Sequence, residues 1–220
     1  MKREIIITSD GSTTIQIPEW NEQYHSVHGA IQESYHVFIK QGLESISKKE
    51  ISILEIGFGT GLNGFITFLE AIKNNLKIDY IGVEGYPVIA NEIEKLNYVS
   101  ELKALDFKEI FTSFHTTSWE ENHQITSNFS LLKRQQFFHE IKDENMFDLI
   151  YFDAFGARLQ PELWTEDIFL KMFTALKSNG TLVTYSAKGS VRRAMQAVGF
   201  DVERLPGPPG KREMLRAKKN

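Results

Sequence analysis

The chain has 220 residues, of which 41% are hydrophobic and 25% are charged, and its formal net charge is −4. It contains no cysteine, which excludes disulfides, thiolate metal sites and cysteine nucleophiles. No apolar run approaches the roughly 20 residues of a membrane span, and the run near the N-terminus is too short for a signal peptide. We therefore expect a globular protein of the cytoplasm, without a membrane partner.

The apolar periodicity predicts alternating strands and helices. The N-terminal part is predicted as a hairpin of strands 3–8 and 13–17 turning at Asp10-Gly11, a loop at 18–24 and a helix at 27–40. The middle part is predicted as strand 51–56, helix 62–75, strand 77–84, a helix opened by Pro87, mixed helix and loop at 98–127, and strand 129–132. The C-terminal part is predicted as strand 147–153, helix 165–177, strand 181–186, helix 190–198 and closing strands 200–204 and 214–217.

This alternation is typical of the α/β class. We expect a doubly wound, mostly parallel sheet of seven strands with helices on both faces and a small N-terminal hairpin extension. The expected division is an N-terminal hairpin and helix extension at 1–45 and a main domain at 46–220.

A glycine turn follows the first central strand. The run I-S-I-L-E-I-G-F-G-T-G (51–61) places Gly57, Gly59 and Gly61 at alternate positions, with Glu55 two residues ahead of them. Glycines let the backbone turn tightly and approach a ligand, and the end of such a strand is where α/β proteins bind nucleotides. The spacing is not the G-x-G-x-x-G of dinucleotide sites, and an acid beside the turn favours the cation of S-adenosylmethionine (SAM). An NAD-like site and a purely structural turn stay open as alternatives.

Two further carboxylates end predicted strands. Glu84 ends the second central strand, where an acid can accept hydrogen bonds from both ribose hydroxyls; the alternative is a solvated carboxylate. Asp153 ends the strand that should lie beside the first, so it is expected to face the same crevice as Glu55. There it could orient or deprotonate an amine nucleophile, the alternative being a turn or helix-capping residue.

The remaining polar and charged residues are less specific indicators of function. His25 and His28 belong to a polar and aromatic cluster near the first helix, which we interpret as a lid or plain surface. We expect no metal, because the chain has neither cysteine nor an H-E-x-x-H motif. Residues 188–220 carry a net charge of +6, which is typical of a phosphate-binding patch or of a solvated surface. The candidate phosphate track for RNA is formed by Lys188, Arg192, Arg193, Lys211 and Arg212.

Six blocks resemble one known family in order along nearly the whole chain. They are Y-H-S-x-H-G-A-x-x-E-S-x-H-V-F-I (24–39), L-E-I-G-F-G-T-G-L-N (54–63), Y-I-G-V-E-G-Y-P (80–87), D-A-F-G-A-x-x-x-P-E-L-W (153–164), G-T-L-V-T-Y-S-A-K-G-x-V-R-R (180–193) and G-K-R-E-M-L (210–215). They are similar to the methyltransferase half of the bifunctional enzyme that makes 5-methylaminomethyl-2-thiouridine at the tRNA wobble position.

The resemblance implies a Rossmann-like fold and methyl transfer from SAM to the exocyclic amine of 5-aminomethyl(-2-thio)uridine in tRNA. It implies that Asp153 stands at the amine, with Phe155 and Trp164 shaping the pocket. It also implies that Arg192, Arg193, Lys211 and Arg212 meet the anticodon stem. The cofactor-binding residues that it implies are Glu55, Gly57, Phe58, Gly59, Gly61, Asn63 and Glu84.

The chain departs from the family pattern in three places. We expect no FAD-dependent oxidase activity, because no second glycine fingerprint is present, so a separate oxidase or aminomethyl-forming enzyme would act upstream. The acidic Gly-Asp pair next to the adenine is replaced by L-K-R-Q-Q-F (132–137), which leaves Gln135 or Gln136 as adenine contacts, or a remodelled region. The family's D-G-F-A-P loop is D-A-F-G-A here.

Three other functions remain open. A polyamine synthase-like aminopropyltransferase would share the fold and the acid at Asp153, but should show more acids near it to hold a polycation. A SAM- or RNA-binding module would bind without turnover. A methyltransferase acting on a small amine or a protein is compatible with the acidic body.

Overall fold

The computed structural model describes residues 2–220. Its N-terminal elements are β1 (Glu4–Ile7), β2 (Thr13–Ile17), β3 (Glu22–Gln23), and α1 (Ala30–Ser34), which continues as a π-helical segment (Tyr35–Lys40). The central elements are β4 (Glu50–Ile56), α2 (Leu62–Asn74), β5 (Lys77–Val83), α3 (Ala90–Ile93), α4 (Tyr98–Glu101), α5 (Lys108–Thr116), β6 (Asn122–Thr126) and β7 (Phe129–Arg134). The C-terminal elements are β8 (Phe147–Phe152), α6 (Glu166–Ala175), β9 (Leu176–Thr184), α7 (Gly189–Ala197), β10 (Asp201–Pro206) and β11 (Glu213–Lys218).

The main sheet has the strand order β10-β11-β9-β8-β4-β5-β7-β6. The five strands from β9 to β7 run parallel, and β11, β10 and β6 are antiparallel additions at the edges. This is the predicted doubly wound class, with one strand more than the seven expected. The additional strand is β6, which falls in the segment predicted as helix and loop, because its sequence N-H-Q-I-T is polar and lies at an exposed edge.

The N-terminal extension is a three-stranded sheet, β1-β2-β3, rather than a hairpin alone. The predicted loop at 18–24 contains a 3₁₀ turn at Pro18–Trp20 and the short strand β3. Pro87 does not open a helix, since α3 begins only at Ala90. The helix predicted at 165–177 ends at Ala175, and the following strand already begins at Leu176.

Two apolar cores lie on the two faces of the sheet. One packs α2 and the π-helical segment against the odd-numbered residues of β4, such as Ile51 and Ile53. The other packs α6 and α7 against Leu54 and Ile56. Since successive side chains of a strand point to opposite faces, a strand buried on both sides is apolar throughout most of its length, as in β8.

The order of strand addition reverses between β4 and β8, which are parallel neighbours in the sheet although they lie far apart in the sequence. The strands after β4 add outward on one side and the strands after β8 on the other. The segments that follow these two strands therefore meet at the carboxyl edge of the sheet, where doubly wound proteins bind ligands. Among residues 2–220, no helix is long and apolar enough to span a membrane.

Candidate active site

The glycine turn is built against the loop that follows β8. Gly57, Gly59 and Gly61 all have positive φ, at 88°, 49° and 71°. A Cβ on Gly57 would lie 2.6 Å from the carbonyl oxygen of Asp153, so only glycine allows the two backbones to approach this closely. The amide of Asp153 in turn donates to the carbonyl of Ile56 at 2.9 Å. The turn and the Asp153 loop thus form one rigid floor.

A cavity of about 280 Å³ opens over this floor. One wall comes from the N-terminal extension, and its residues are Arg3, Trp20, Glu22, Gln23, Tyr24 and His25. This wall is fixed to the opposite side by Arg3, whose Nη2 donates to the carbonyl of Tyr86 at 3.1 Å and whose Nη1 pairs with Glu92 at 3.1 Å. The extension is therefore part of the site.

The remaining walls come from the segments that follow β4, β5, β7, β8 and β9. The cavity-lining residues there include Gly57, Gly59, Glu84, Gly85, Tyr86, Phe137, Phe138, His139, Asp153, Phe155 and Tyr185. Asp153 is thus brought together with the glycine turn and Glu84, as the strand ends predicted.

Asn63 links the two carboxylates at the base of the cavity. Its Nδ2 donates to Glu55 Oε1 at 2.9 Å and to Asp153 Oδ2 at 2.8 Å. Its Oδ1 accepts from the hydroxyl of Ser34 at 2.5 Å. Because both amide protons and the carbonyl are engaged, the orientation of Asn63 is fixed, and with it the orientation of the Asp153 carboxylate.

Asp153 has the protonation behaviour of a base that works near neutrality. Burial raises its pKa, and the carboxylate of Glu33 raises it further, to about 7. The hydrogen bond from Asn63 and the charge of Lys211 act in the opposite direction without cancelling these effects. Such a shift at a cavity wall is typical of a functional carboxylate.

Glu55 lies beneath the cavity and does not line it. Its side chain is fully buried, and Oε2 accepts from the hydroxyl of Tyr80 at 2.9 Å. Burial raises the pKa of this carboxyl well above its ordinary value. The sequence contained the relevant signal, since Glu55 shares its strand face with Ile51 and Ile53. In this structure it supports Asn63 and does not present a charge to a cofactor.

Glu84 faces the cavity and also holds the glycine turn. Its Oε2 accepts from the amide of Gly59 at 3.0 Å and its Oε1 from the amide of Tyr86 at 2.9 Å. Each carboxylate oxygen keeps a further acceptor site. The geometry therefore suits a residue that accepts hydrogen bonds from ribose hydroxyls.

Phe155 and Trp164 are placed differently. Phe155 lines the cavity and makes edge-to-face contacts with Trp20 and Tyr24, at centroid distances of 5.8 and 5.1 Å. Trp164 is buried behind the loop, where its Nε1 donates to the carbonyl of Phe155 at 2.7 Å. The structure thus gives Trp164 a supporting position instead of the expected place in the pocket wall.

Besides Glu55 and Asn63, three further predicted cofactor residues lie outside the cavity wall. The ring of Phe58 is buried in the core, in the space that Gly82 leaves free. Gly61 faces the ring of His115. Gln135 is exposed, and its backbone amide donates to Glu120 at 2.6 Å. The wall expected from Gln135 or Gln136 is instead formed by Phe137, Phe138 and His139.

The five basic residues do not form one track. Lys188 precedes α7, Arg192 and Arg193 lie in its first turns, and Arg212 is an exposed residue of the β10–β11 loop. Lys211 points inward, where it pairs with Glu33 and stacks on the ring of Tyr185 at 3.9 Å.

Sequence patterns do not reveal the residues that meet only through tertiary contacts. Tyr24 and His25 stand out as part of a polar cluster, but nothing local assigns them to the cavity, and Trp20 and Tyr185 carry no local signal at all. Burial lowers the pKa of His25 to about 4, so this wall residue is neutral at physiological pH. Among residues 2–220 no group of three or more His, Asp or Glu side chains is arranged to hold a metal.

Fold and cavity together define a SAM-dependent methyltransferase. The features that fit this cofactor are the glycine turn, the Glu84 carboxylate beside it, and the aromatic wall at 137–139. The family described as S-adenosyl-L-methionine-dependent methyltransferase matches residues 102–220, and the chain belongs to this family. The predicted fold class and cofactor are thereby confirmed.

Two curated relatives carry the name tRNA 5-methylaminomethyl-2-thiouridine biosynthesis bifunctional protein MnmC. The protein from Idiomarina loihiensis is 27% identical over 89% of this chain and 35% of its own length. The protein from Leptospira borgpetersenii is 30% identical over 90% of this chain and 32% of its own length. The chain thus spans about a third of the length of these relatives.

Two solved structures are similar to this chain over nearly its whole length. MnmC2 from Aquifex aeolicus is 26% identical, with a TM-score of 0.76 over 100% of this chain and 70% of that protein. Spermidine synthase from Thermotoga maritima is 16% identical, with a TM-score of 0.59 over 99% of this chain and 69% of that protein. The second similarity concerns the fold alone.

Proposed function

We propose that this chain transfers the methyl group of SAM to the exocyclic amine of 5-aminomethyl(-2-thio)uridine at wobble position 34 of tRNA. The names of the curated relatives support this substrate. The observation that carries the chemistry is Asp153, a cavity carboxylate with a pKa of about 7. The aminomethyl group is the product of a preceding reaction, which we assign to a separate oxidase or aminomethyl-forming activity.

Asp153 is the proposed base. A primary alkylamine is largely protonated at neutral pH and then has no lone pair for attack. The ionised Asp153 carboxylate takes one proton from the ammonium and leaves the neutral amine, and its pKa near the working pH suits this transfer. SAM, when bound, supplies a methyl group on a positively charged sulfur, so that the new C–N bond forms as the C–S bond breaks.

The other residues orient the reactants. Asn63 fixes the Asp153 carboxylate, with Glu55 behind it, and much of the rate enhancement comes from such positioning. Glu84 and the backbone of Gly57 and Gly59 would hold the ribose and methionine parts of the cofactor. Phe155, with Trp20 and Tyr24 beside it, offers aromatic surface on which an unstacked pyrimidine can lie.

The N-terminal segment 1–45 is proposed as an extension that completes the cavity of a methyltransferase domain at 46–220. The exposed basic residues are proposed as phosphate contacts for tRNA, and a tRNA substrate places the reaction in the cytoplasm. We assign this role to Lys188, Arg193 and Arg212, and extend it to Arg192, which is half-buried.

Charge reversal tests the RNA contacts. Lys188, Arg193 and Arg212 changed together to Glu should weaken tRNA binding and lower the slope of log Kd against log salt by up to about 3, roughly one per phosphate contact. SAM affinity should not change, because none of these residues lines the cavity. Unchanged tRNA affinity at fixed salt would refute these contacts.

A second candidate is aminopropyl transfer to a polyamine. Besides Asp153, the cavity wall contains Glu22 and Glu162, which gives more acids near the base than the sequence indicated. Such an enzyme would use decarboxylated SAM and would release 5′-methylthioadenosine. Incubating the protein with either cofactor and with putrescine or tRNA separates the two functions.

The deciding experiment uses methyl-labelled SAM and tRNA from cells that lack this protein. Label in 5-methylaminomethyl(-2-thio)uridine after digestion, absent with Asp153→Asn, is the expected result. No label, despite measured SAM binding and verified aminomethyl substrate in the tRNA, would overturn the proposal and turn the search to small amines, proteins or a binding module without turnover.

A further inference from the structure

The C-terminal loop at 207–212 is joined to the N-terminal segment around α1. Lys211 Nζ forms an ion pair with Glu33 Oε1. Nearby, the ring of His36 hydrogen-bonds through Nε2 to the carbonyl oxygen of Pro206 at 2.8 Å, and the ring of His28 packs directly on Gly210. Three contacts therefore place Lys211 at this position.

The ion pair is largely enclosed. The Glu33 side chain is 8% exposed and that of Lys211 31%, and Glu33 Oε2 also accepts from the amide of Ser26 at 2.9 Å. A buried carboxylate requires such partners because its desolvation is costly. A lysine bound in this way is poorly placed to contact an RNA phosphate.

Lys211 also reaches the loop that carries Asp153. Its Nζ lies 3.9 Å from the centre of the Tyr185 ring, within the range of a cation–π interaction. The hydroxyl of Tyr185 donates to the carbonyl of Ala154 at 2.8 Å, and Ala154 is the neighbour of Asp153. A continuous set of contacts thus leads from the ion pair to the proposed base.

We propose that Glu33 and Lys211 are positioning residues of the methyl-transfer site, which hold the Asp153 loop through Tyr185 and fix the electrostatic field at the Asp153 carboxylate. This role rests on the function proposed above, and it replaces the phosphate contact that the sequence indicated for Lys211.

The field at Asp153 arises from groups on several elements. They are Asn63 and Glu55 below, Glu33 on α1, Lys211 on the C-terminal loop, and the phenols of Tyr80 and Tyr185. Glu33 raises and Lys211 lowers the pKa of Asp153. Tyr80 and Tyr185 have pKa values well above the ordinary range, so both remain uncharged near neutrality.

The two single variants should therefore act in opposite directions. In Lys211→Met, the acid limb of the pH profile of kcat/KM should move to higher pH, because a stabilising positive charge is lost. In Glu33→Gln it should move to lower pH, because the destabilising negative charge is lost while Lys211 remains. We expect each shift to be about 0.5 unit or more. The double variant should lie between the two, and Lys211→Arg should keep the wild-type limb.

Arg212→Met is the matched control. It removes the same charge one residue away, from a side chain that is 90% exposed, so KM for tRNA can rise while the limb stays in place. The proposal would be overturned if the acid limb of the kcat/KM profile lay at the same pH in all variants. It would also be overturned if the limb moved in the same direction in both single variants. If Lys211→Met does not fold, Glu33→Gln and Lys211→Arg still decide the question, because the acid limb should move to lower pH in the first variant and stay in place in the second.

A second measurement is independent of the substrate. Carboxyl ¹³C NMR of the whole protein, with the Asp153 signal identified by its loss in Asp153→Asn, follows the titration directly. The same opposite displacements in the two single variants are expected. If no methyl transfer to tRNA is found but these displacements are, the substrate is wrong while the positioning pair stands. Unmoved titration would refute the pair itself.

Discussion

Strand β8 has an aspartate near each end, and the two carboxylates have opposite environments and opposite pKa shifts. Asp148 lies near its amino end, where Lys48 and Lys177 each approach a carboxylate oxygen, at 2.5 and 2.8 Å. Ser52 adds bonds from its amide and its hydroxyl at 3.0 and 2.8 Å. Burial alone would raise the pKa of Asp148, but the bonds from Lys177, Lys48 and Ser52 together hold it well below its usual range.

Asp153 follows the other end of the same strand. Its carboxylate accepts a side-chain hydrogen bond from Asn63 only, among the described residues, and faces the cavity. Burial and Glu33 raise its pKa to about 7. At one end the carboxylate is saturated with donors and stabilises the fold. At the other end it is left with few donors, and it remains able to take up a proton.

The largest expected effect comes from Asp153→Asn. Loss of the base should lower kcat/KM for methyl transfer by about 10²–10⁴-fold, while SAM affinity stays within about twofold, as radiolabel transfer and calorimetry would measure. Asp148→Asn is the matched control, because it makes the same change at the opposite end of β8. Near-normal turnover in Asp153→Asn would remove the proposed role of this residue.

The second effect concerns Asp148, at the amino end of β8, and its contribution to the free energy of unfolding. Asp148→Asn should lower the free energy of unfolding at pH 7 by about 2 kcal/mol, because a carboxylate whose pKa is depressed in the folded state stabilises that state when ionised. This contribution is present above the ordinary pKa near 4 and is lost as the pH falls below it. Urea unfolding at pH 7 and pH 3 measures the difference, and an equal loss at both values would contradict the ion-pair explanation.

A third effect has the opposite pH dependence. Because the pKa of Asp153 is raised in the folded state, its ionisation destabilises that state as the pH rises from about 4 through 7. Asp153→Asn should therefore be more stable than the wild type by about 1–2 kcal/mol at pH 8 and equally stable near pH 4. A constant difference across this range would show that Asp153 is not abnormally basic.

The smallest expected effect is the loss of stability when either lysine partner of Asp148 is removed. Lys177→Met and Lys48→Met should each cost less than about 1 kcal/mol at pH 7, since both lysines are partly exposed and the other one remains. The double variant should cost more than the sum of the two, because it leaves the buried Asp148 charge without a cationic partner. Strict additivity in urea unfolding would indicate that the lysines act independently.

Sequence patterns predict the framework of the site better than its lining. The apolar runs place β4 and β8, and a doubly wound sheet brings their ends together, so the positions of Asp153 and the glycine turn follow from the amino-acid sequence alone. The alternation within β4 also indicates that Glu55 faces inward with Ile53. The strand β6 escapes prediction because an exposed edge strand has no apolar face to reveal it.

The rest depends on contacts between distant segments. Phe58 occupies the space left by Gly82. Nothing in the sequence around either residue predicts this contact. Tyr24 and Tyr185 reach the cavity only because the extension and the segment after β9 converge on it. Lys211 resembles a surface charge in a basic tail, and only the three-dimensional fold provides Glu33 as its partner.

The ion pair between Glu33 and Lys211 joins residues 178 positions apart, and Lys211 lies between the two strands at the outer edge of the sheet. Edge elements open locally at a lower free-energy cost than central strands. Such an opening would withdraw Lys211 from Tyr185 while the parallel strands remain paired. We therefore expect activity to decline on warming before the protein melts, with the amide protons of β10 and β11 exchanging ahead of those of β4 and β8.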